Sequence, residues 1–232
     1  MSEAARRVLL PRPRALLLDW DNTLVDTWPC IGKATHITLR AMGFEPWSEQ
    51  QIRARVAGSL RDTFPKIYGA RWEEARDVYS RAFGEAHLEM LKPLAGAEDV
   101  LTFSSAAGLY LGVVSNKTGH YLRAEAGHLG WNHYFGGIVG AQDARRDKPD
   151  PDPAHLALST GRISAGADVW FVGDALIDVT CGRAAGCTTI MVGPEPSTGP
   201  VTERADAYVT DCAALLDLIR AHLASAQPGN PG

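Results

Sequence analysis

No apolar run in this 232-residue chain approaches the roughly 20 residues that a membrane-spanning helix needs, so no membrane span is expected. Positive charge is not in excess either. Lys and Arg number 23 against 27 Asp and Glu, a formal net charge of −4. Without a net basic field to hold a phosphate backbone, a nucleic-acid partner is disfavoured, a local basic patch being the one form left open. Cysteine is scarce: Cys30, Cys181, Cys187 and Cys212 are scattered without a C-x-x-C spacing, which argues against zinc or a disulfide framework and predicts buried free thiols. The seven histidines show no ligand spacing, and His36, His87, His128 and His155 read as ordinary helix residues. Near the start, Arg6 and Arg7 precede Val8-Leu9-Leu10, but Pro11 and Arg12 cut that run short of a secretory core of about 7–15 residues. The expectation is a soluble, cytoplasmic protein.

What the chain does contain is ordinary globular usage, 45% hydrophobic and 22% charged, at a length suited to one large domain or to a core with a small insertion. Ala15-Leu16-Leu17-Leu18 is a short apolar run ending abruptly in Asp19. Runs at 109–114, 169–172 and 188–192 resemble it, with weaker candidates at 137–140 and 207–209. Near-continuous apolar strands alternating with helical patterns predict a buried parallel sheet in an α/β layer fold. Asp152-Pro153 reads as an N-cap with proline in the first turn, Thr118 as the cap of a helix to Leu129, and Asp211 as the cap of a last helix.

Between Leu24 and Leu109 no convincing strand is seen. Asp26 is positioned to cap a first helix there, Ser48 with Gln51 forms a capping box for a second, and 71–91 is a long third helix ended by Pro93. The expected organisation is a core built from 1–25 and 93–226, a helical cap domain over 26–92 inserted after the first strand, and a disordered tail at 227–232.

Four segments of chemical interest lie at or just beyond the carboxyl ends of predicted strands, where open α/β sheets bind ligands. Asp19-Trp20-Asp21-Asn22-Thr23-Leu24 offers two carboxylates that can point into one crevice, one as nucleophile or metal ligand and the other as acid/base; read plainly, it is a polar turn. Ser115-Asn116-Lys117-Thr118 offers a hydroxyl and backbone N–H groups at a helix start, suited to a phosphate oxygen, or simply a helix cap. Asp147-Lys148-Pro149-Asp150 sets a lysine in a stiff loop, reactive or merely solvated. Gly173-Asp174 through Asp178 again ends a strand with carboxylates, at i and i+4.

In order and combination these segments resemble the motifs of the haloacid dehalogenase-like hydrolase superfamily, over roughly 15–209, and specifically its phosphatases with an inserted helical cap. Ser115-Asn116-Lys117, Lys148-Pro149-Asp150-Pro151, and Gly173-Asp174 leading to Arg183-Ala184-Ala185-Gly186 look most like the phosphoglycolate phosphatase branch. The resemblance implies a Rossmann-like three-layer core under an α-helical cap, and a Mg²⁺-dependent phosphatase acting on a small phosphorylated metabolite through an aspartyl-phosphate, 2-phosphoglycolate being the leading guess. It implies Asp19 as nucleophile, Asp21 as general acid and then base, and Ser115 and Lys148 holding the phosphoryl group. It also implies Mg²⁺ on Asp19, the Asp21 carbonyl and Asp174, with Asp178 beside it, and Thr23 orienting Asp21. Elementary electrostatics agrees: converging carboxylates cannot all stay ionised without cations, and an all-oxygen set favours Mg²⁺ over zinc. Two departures stand out, Trp20 between the aspartates and Asn22 where the family usually has Gly; Asn tolerates the left-handed turn.

Asp21 at the acid position favours a phosphatase over a dehalogenase. A phosphosugar mutase of the same cap type, and a non-catalytic regulatory protein retaining the fold, remain as alternatives. Substrate choice is expected to lie in the cap. There Gly58-Ser59-Leu60-Arg61-Asp62 breaks the helical pattern as a loop, with Arg61 a candidate for a substrate carboxylate or hydroxyl, or a solvated helix-end arginine. Asn116 and Lys117 join Ser115 and Thr23 as candidate substrate contacts, Lys117 with the same ambiguity as Arg61. Trp28, Trp47, Trp72 and Trp131 read as packing residues or cap–core contacts. Oligomeric state is not legible in the sequence.

Overall fold

β1 (Ala15–Leu18) is completely buried, and its side chains divide by strand alternation between two cores. In the computed structural model, which describes residues 10–56, 58–193 and 205–224, β1 leads into the two-residue strand β2 (Val25–Asp26). Then come the helices α1 (Trp28–Ala41), α2 (Glu49–Arg55), α3 (Leu60–Tyr68) and α4 (Trp72–Met90), and a second two-residue strand, β3 (Lys92–Pro93). The chain continues through α5 (Ala97–Ala106), β4 (Tyr110–Thr118), α6 (Gly119–His128), β5 (Gly137–Ala141), α7 (Asp152–Ser159) and β6 (Val169–Gly173). It ends with α8 (Leu176–Ala184), β7 (Thr188–Val192), β8 (Ala207–Val209) and α9 (Cys212–Ala224).

Six strands pair in the order β5-β4-β1-β6-β7-β8, every neighbouring pair parallel. Leu16 and Leu18 join Val113, Trp170 and Val172 on one face, against Leu101, Leu122 and Leu215 from α5, α6 and α9. Ala15 and Leu17 join Val114 and Phe171 on the other, against Ala154, Ala157 and Cys181 from α7 and α8. This is a three-layer α/β fold whose central strands read as continuous apolar runs because both faces are covered. A third core, with Ile31, Leu39, Phe64, Tyr79 and Phe83, lies among α1, α3 and α4. All four cysteines are buried and free, and no described helix is long and apolar enough to cross a membrane.

Several local expectations are met. Ser48 and Gln51 form the reciprocal capping box, Asp211 Oδ1 accepts from the Ala214 N–H at 2.8 Å, and Asn22 takes a left-handed φ of 60°. Others are corrected. β4 does not stop at Val114 but runs through Ser115-Asn116-Lys117 to Thr118, with a register shift against β5, because backbone pairing is indifferent to the polarity that marked a turn in the sequence. Ser59 ends the break as the N-cap of α3, so Arg61 lies in the first turn of that helix rather than in a loop. Thr27 rather than Asp26 occupies the N-cap position of α1, but its side chain makes no capping bond; Asp26 Oδ1, one residue earlier, accepts from the Trp28 N–H at 3.3 Å. α7 starts at Asp152 itself, one residue earlier than the capping pattern suggested. The N-terminal run at 6–9 and the tail at 227–232 lie outside the described residues.

Candidate active site

The carboxyl ends of β1, β4 and β6 and the loop after β5 surround one crevice. Asp19 leaves β1 with its N–H on the Val172 carbonyl. The chain then turns back on itself as the Leu24 N–H donates to the Trp20 carbonyl and the Asn22 N–H to that of Val25, which brings Asp21 to the same side. Lys148 reaches in from the loop after β5. Its Nζ lies 2.6 Å from Asp19 Oδ1, 2.6 Å from Asp178 Oδ1 and 2.9 Å from the Val114 carbonyl. Asp178 is held in turn in the first turn of α8, its Oδ2 accepting from the Ala175 N–H at 3.0 Å.

Asp19, Asp174 and Asp178 bring carboxylate oxygens within 4.8 Å of one another. Burial is the main reason the Asp19 carboxyl is pushed up to about 7; Lys148 opposes the shift, while Asp178 and Asp21 add to it. Asp174 is raised well above the carboxylate range for the same reason, burial first and then the charges of Asp19 and Asp178. Burial works against the Lys148 ammonium, but Asp178 and Asp19 outweigh it and hold the pKa above the ordinary lysine value. With all three carboxylates ionised, one ammonium leaves two negative charges unmatched. A hard divalent cation with oxygen ligands fits that donor set and that charge.

Around these groups is a cavity of about 290 Å³. Asp19, Asp21, Ser115, Lys148 and Asp174 form its floor, and Trp28, Ile31, Arg53, Leu60, Tyr79 and Phe83 wall it from the helices. Arg53 stacks over the Trp28 ring at 4.4 Å from its centroid.

Of the other candidate residues, Ser115, Asn116 and Lys117 line the cavity, whereas Thr23 and Arg61 are not among its lining residues. The Thr23 hydroxyl, expected to orient Asp21, donates instead to Asp19 Oδ2 at 3.4 Å. Asn116 clamps the Lys148 backbone, its amide accepting from the Lys148 N–H and donating to the Lys148 carbonyl, each at 3.1 Å. Ser115 is buried on the cavity floor and accepts from the Lys117 N–H. Lys117 lines the cavity with its Nζ buried 2.7 Å from Asp21 Oδ1 and 2.5 Å from Glu125 Oε2. Arg61 turns away from the cavity floor and grips Asp147 through two contacts of 2.6 Å.

Asp147, Glu125 and His87 were not legible as site residues. Only Glu125 left a signal. It falls between Leu122 and Ala126 on the buried face of α6, where an amphipathic helix should carry no charge without a partner.

Likeness to known proteins bears on this arrangement. A model described as haloacid dehalogenase-like hydrolase matches residues 16–192. An N-acetylmuramic acid 6-phosphate phosphatase of Pseudomonas aeruginosa is 31% identical over 216 residues, covering 90% of this chain and 95% of that protein. A phosphoglycolate phosphatase of Pseudomonas fluorescens is 25% identical, covering 86% and 76%. Among solved structures, a putative haloacid dehalogenase-like hydrolase from Bacteroides fragilis has a TM-score of 0.81 over 88% of this chain and 99% of that one, a likeness of fold at 22% identity. The chain belongs to the haloacid dehalogenase-like hydrolase family, a hydrolase of the phosphatase kind.

Proposed function

We propose that this protein is a Mg²⁺-dependent phosphatase that cleaves a small phosphorylated metabolite through phospho-Asp19, with residues 26–92 serving as a cap over a core of 1–25 and 93–226. The observation that carries the reading is the pairing of Asp19 Oδ1 with Lys148 Nζ at 2.6 Å on the floor of a cavity that Asp21 also lines. Asp19 attacks phosphorus, and Lys148 and the Ser115 hydroxyl hold the transferring phosphoryl oxygens. Asp21 protonates the leaving oxygen and then takes a proton from the water that hydrolyses the acyl phosphate. Thr23 and Asn116 keep Asp19 and Lys148 in place. Asp19, Asp174 and Asp178, with the Asp21 carbonyl, would hold Mg²⁺, which when bound supplies charge neutralisation for nucleophile and phosphate.

The favoured substrate is 2-phosphoglycolate, the compound named for several relatives. A cavity of about 290 Å³ suits a small ligand, and Arg53, stacked over Trp28 on its wall, offers a guanidinium to a carboxylate. An acidic sugar phosphate is a second reading, favoured by the aromatic and apolar wall of Trp28, Ile31 and Phe83 and by the relative named for N-acetylmuramic acid 6-phosphate. The test is phosphate release from both compounds beside other sugar phosphates and p-nitrophenyl phosphate, with Mg²⁺ or chelator. Metal-dependent release with one clear favourite is expected. Sugar phosphate isomerised without phosphate release would overturn the reading in favour of a mutase.

A further inference from the structure

Behind the cavity floor lies a buried polar chain in which neither Glu125 nor His87 touches the cavity. Glu125 is 0% exposed, and each of its oxygens is committed. Oε2 receives the Trp20 Nε1–H at 2.7 Å and the Lys117 ammonium at 2.5 Å, and Oε1 faces His87 Nδ1 at 2.9 Å. Lys117 carries the chain forward to Asp21 Oδ1 at 2.7 Å, an ion pair without hydrogen-bond alignment. The four partners come from separate pieces of the molecule: Trp20 from the turn after β1, Lys117 from β4, Glu125 from α6, and His87 from α4 among the helices of 26–92. A buried carboxylate and ammonium are costly unless fully paired, and a glutamate there must be held by all its neighbours to hold the lysine.

We infer that Lys117 and Glu125 form a positioning arm for Asp21, and that His87 completes it from the helical side. The inference rests on Asp21 being the acid group of the proposed reaction. Lys117 alone would swing between two carboxylates on a flexible stem. With Glu125 fixed by Trp20 and His87, the ammonium has one place to sit, and it draws Asp21 Oδ1 to itself, which leaves the other oxygen for the leaving group in the cavity. His87 is itself fixed, stacked on Phe83 at 5.3 Å between ring centroids and edge-on to Tyr121 at 5.0 Å. Removing the helices from the core therefore removes one of the arm's supports, and Asp21 is held fully only when they are docked.

The test compares kcat/KM on an alkyl phosphate, 2-phosphoglycolate or whichever metabolite the substrate panel selects, with kcat/KM on p-nitrophenyl phosphate, whose leaving group needs no proton. His87→Leu is expected to lower the alkyl value about tenfold and the aryl value less than about twofold, well inside what a general acid contributes. His87→Asn, which returns a polar atom near the Nδ1 position, is expected to restore most of the loss. Glu125→Gln is expected to give a larger split of the same kind. Equal losses on both esters, tracking a lowered Tm, would overturn the arm in favour of simple structural support, as would no change on either ester. Asp21→Asn is the reference: if it shows no split between the esters, the acid reading itself falls, and the arm with it.

Discussion

Arg61 and Asp147 face each other as a two-pronged ion pair, Nε to Oδ2 and Nη2 to Oδ1, joining the first turn of α3 to the residue immediately before Lys148. The Asp147 side chain is 1% exposed and that of Arg61 33%. Arg61→Ala therefore strands a buried carboxylate that, among the described residues, keeps the Gln142 N–H as its hydrogen-bond partner. The expected cost is about 1–3 kcal/mol by chemical denaturation, below the figure for a fully buried pair because Arg61 is partly solvated. Arg61→Lys recovers little of it, since an ammonium cannot reproduce the fork. Unchanged stability in Arg61→Ala would show that the pair is incidental.

Asp19→Asn is expected to abolish turnover and to leave the fold and melting temperature intact. The carboxylate it removes is buried beside two others, and Lys148 keeps Asp178 and the Val114 carbonyl. Phosphate release at a rate near that of the parent enzyme would sink the nucleophile assignment.

The raised Asp19 pKa predicts a linkage between pH, stability and Mg²⁺. The folded value is about 7 and the ordinary one 3.8, so between them the native state holds a proton that the unfolded chain releases. The metal-free protein therefore gains stability from Asp19 below about pH 4 and loses it as pH rises through about 7. A cation competing with that proton should raise Tm more at about pH 8 than at about pH 5.5, and its half-saturating concentration should fall as pH rises. Calorimetric scans with Mg²⁺ and with chelator at both pH values check this; an equal Tm shift at the two would refute it.

At Asn22 the left-handed φ of 60° places a backbone demand on the turn that carries Asp21. Asn22→Ala is expected to cost about 1 kcal/mol, and Asn22→Gly close to nothing apart from the weak bond from the Thr27 N–H to Asn22 Oδ1. Urea midpoints for the two variants give the comparison, and an alanine variant as stable as the glycine variant would remove the strain.

The sheet was legible because central parallel strands are apolar on both faces, so 15–18, 169–172 and 188–192 announce themselves without periodicity. The carboxylates and Lys148 were legible because they sit at strand ends in a recognisable order. What stayed hidden depends on distant residues meeting. Glu125 and His87 stand 38 positions apart, and nothing local in α4 says that a histidine beside Phe83 will find a buried carboxylate. Arg61 hid for a different reason, since a glycine at 58 reads as a longer break than the fold makes of it. The continuation of β4 through Ser115 to Thr118 was masked by residue types that favour turns.

The pairing of Val25 with Pro93 and of Asp26 with Lys92 brings together the two places where the chain leaves and rejoins the core. Everything from α1 to α4 thus hangs from a single doorway. Exchanging the helices at that doorway would leave every strand of the six-stranded sheet in place, since none of its strands lies between β2 and β3. The exchange is not free of conditions. An incoming unit must bring an arginine for Asp147, a partner for Glu125 and a backbone carbonyl for the Tyr121 hydroxyl, the roles that Arg61, His87 and Ser80 fill here. Asp147, Glu125 and Tyr121 are thus three points at which the rest of the chain would grip any such segment.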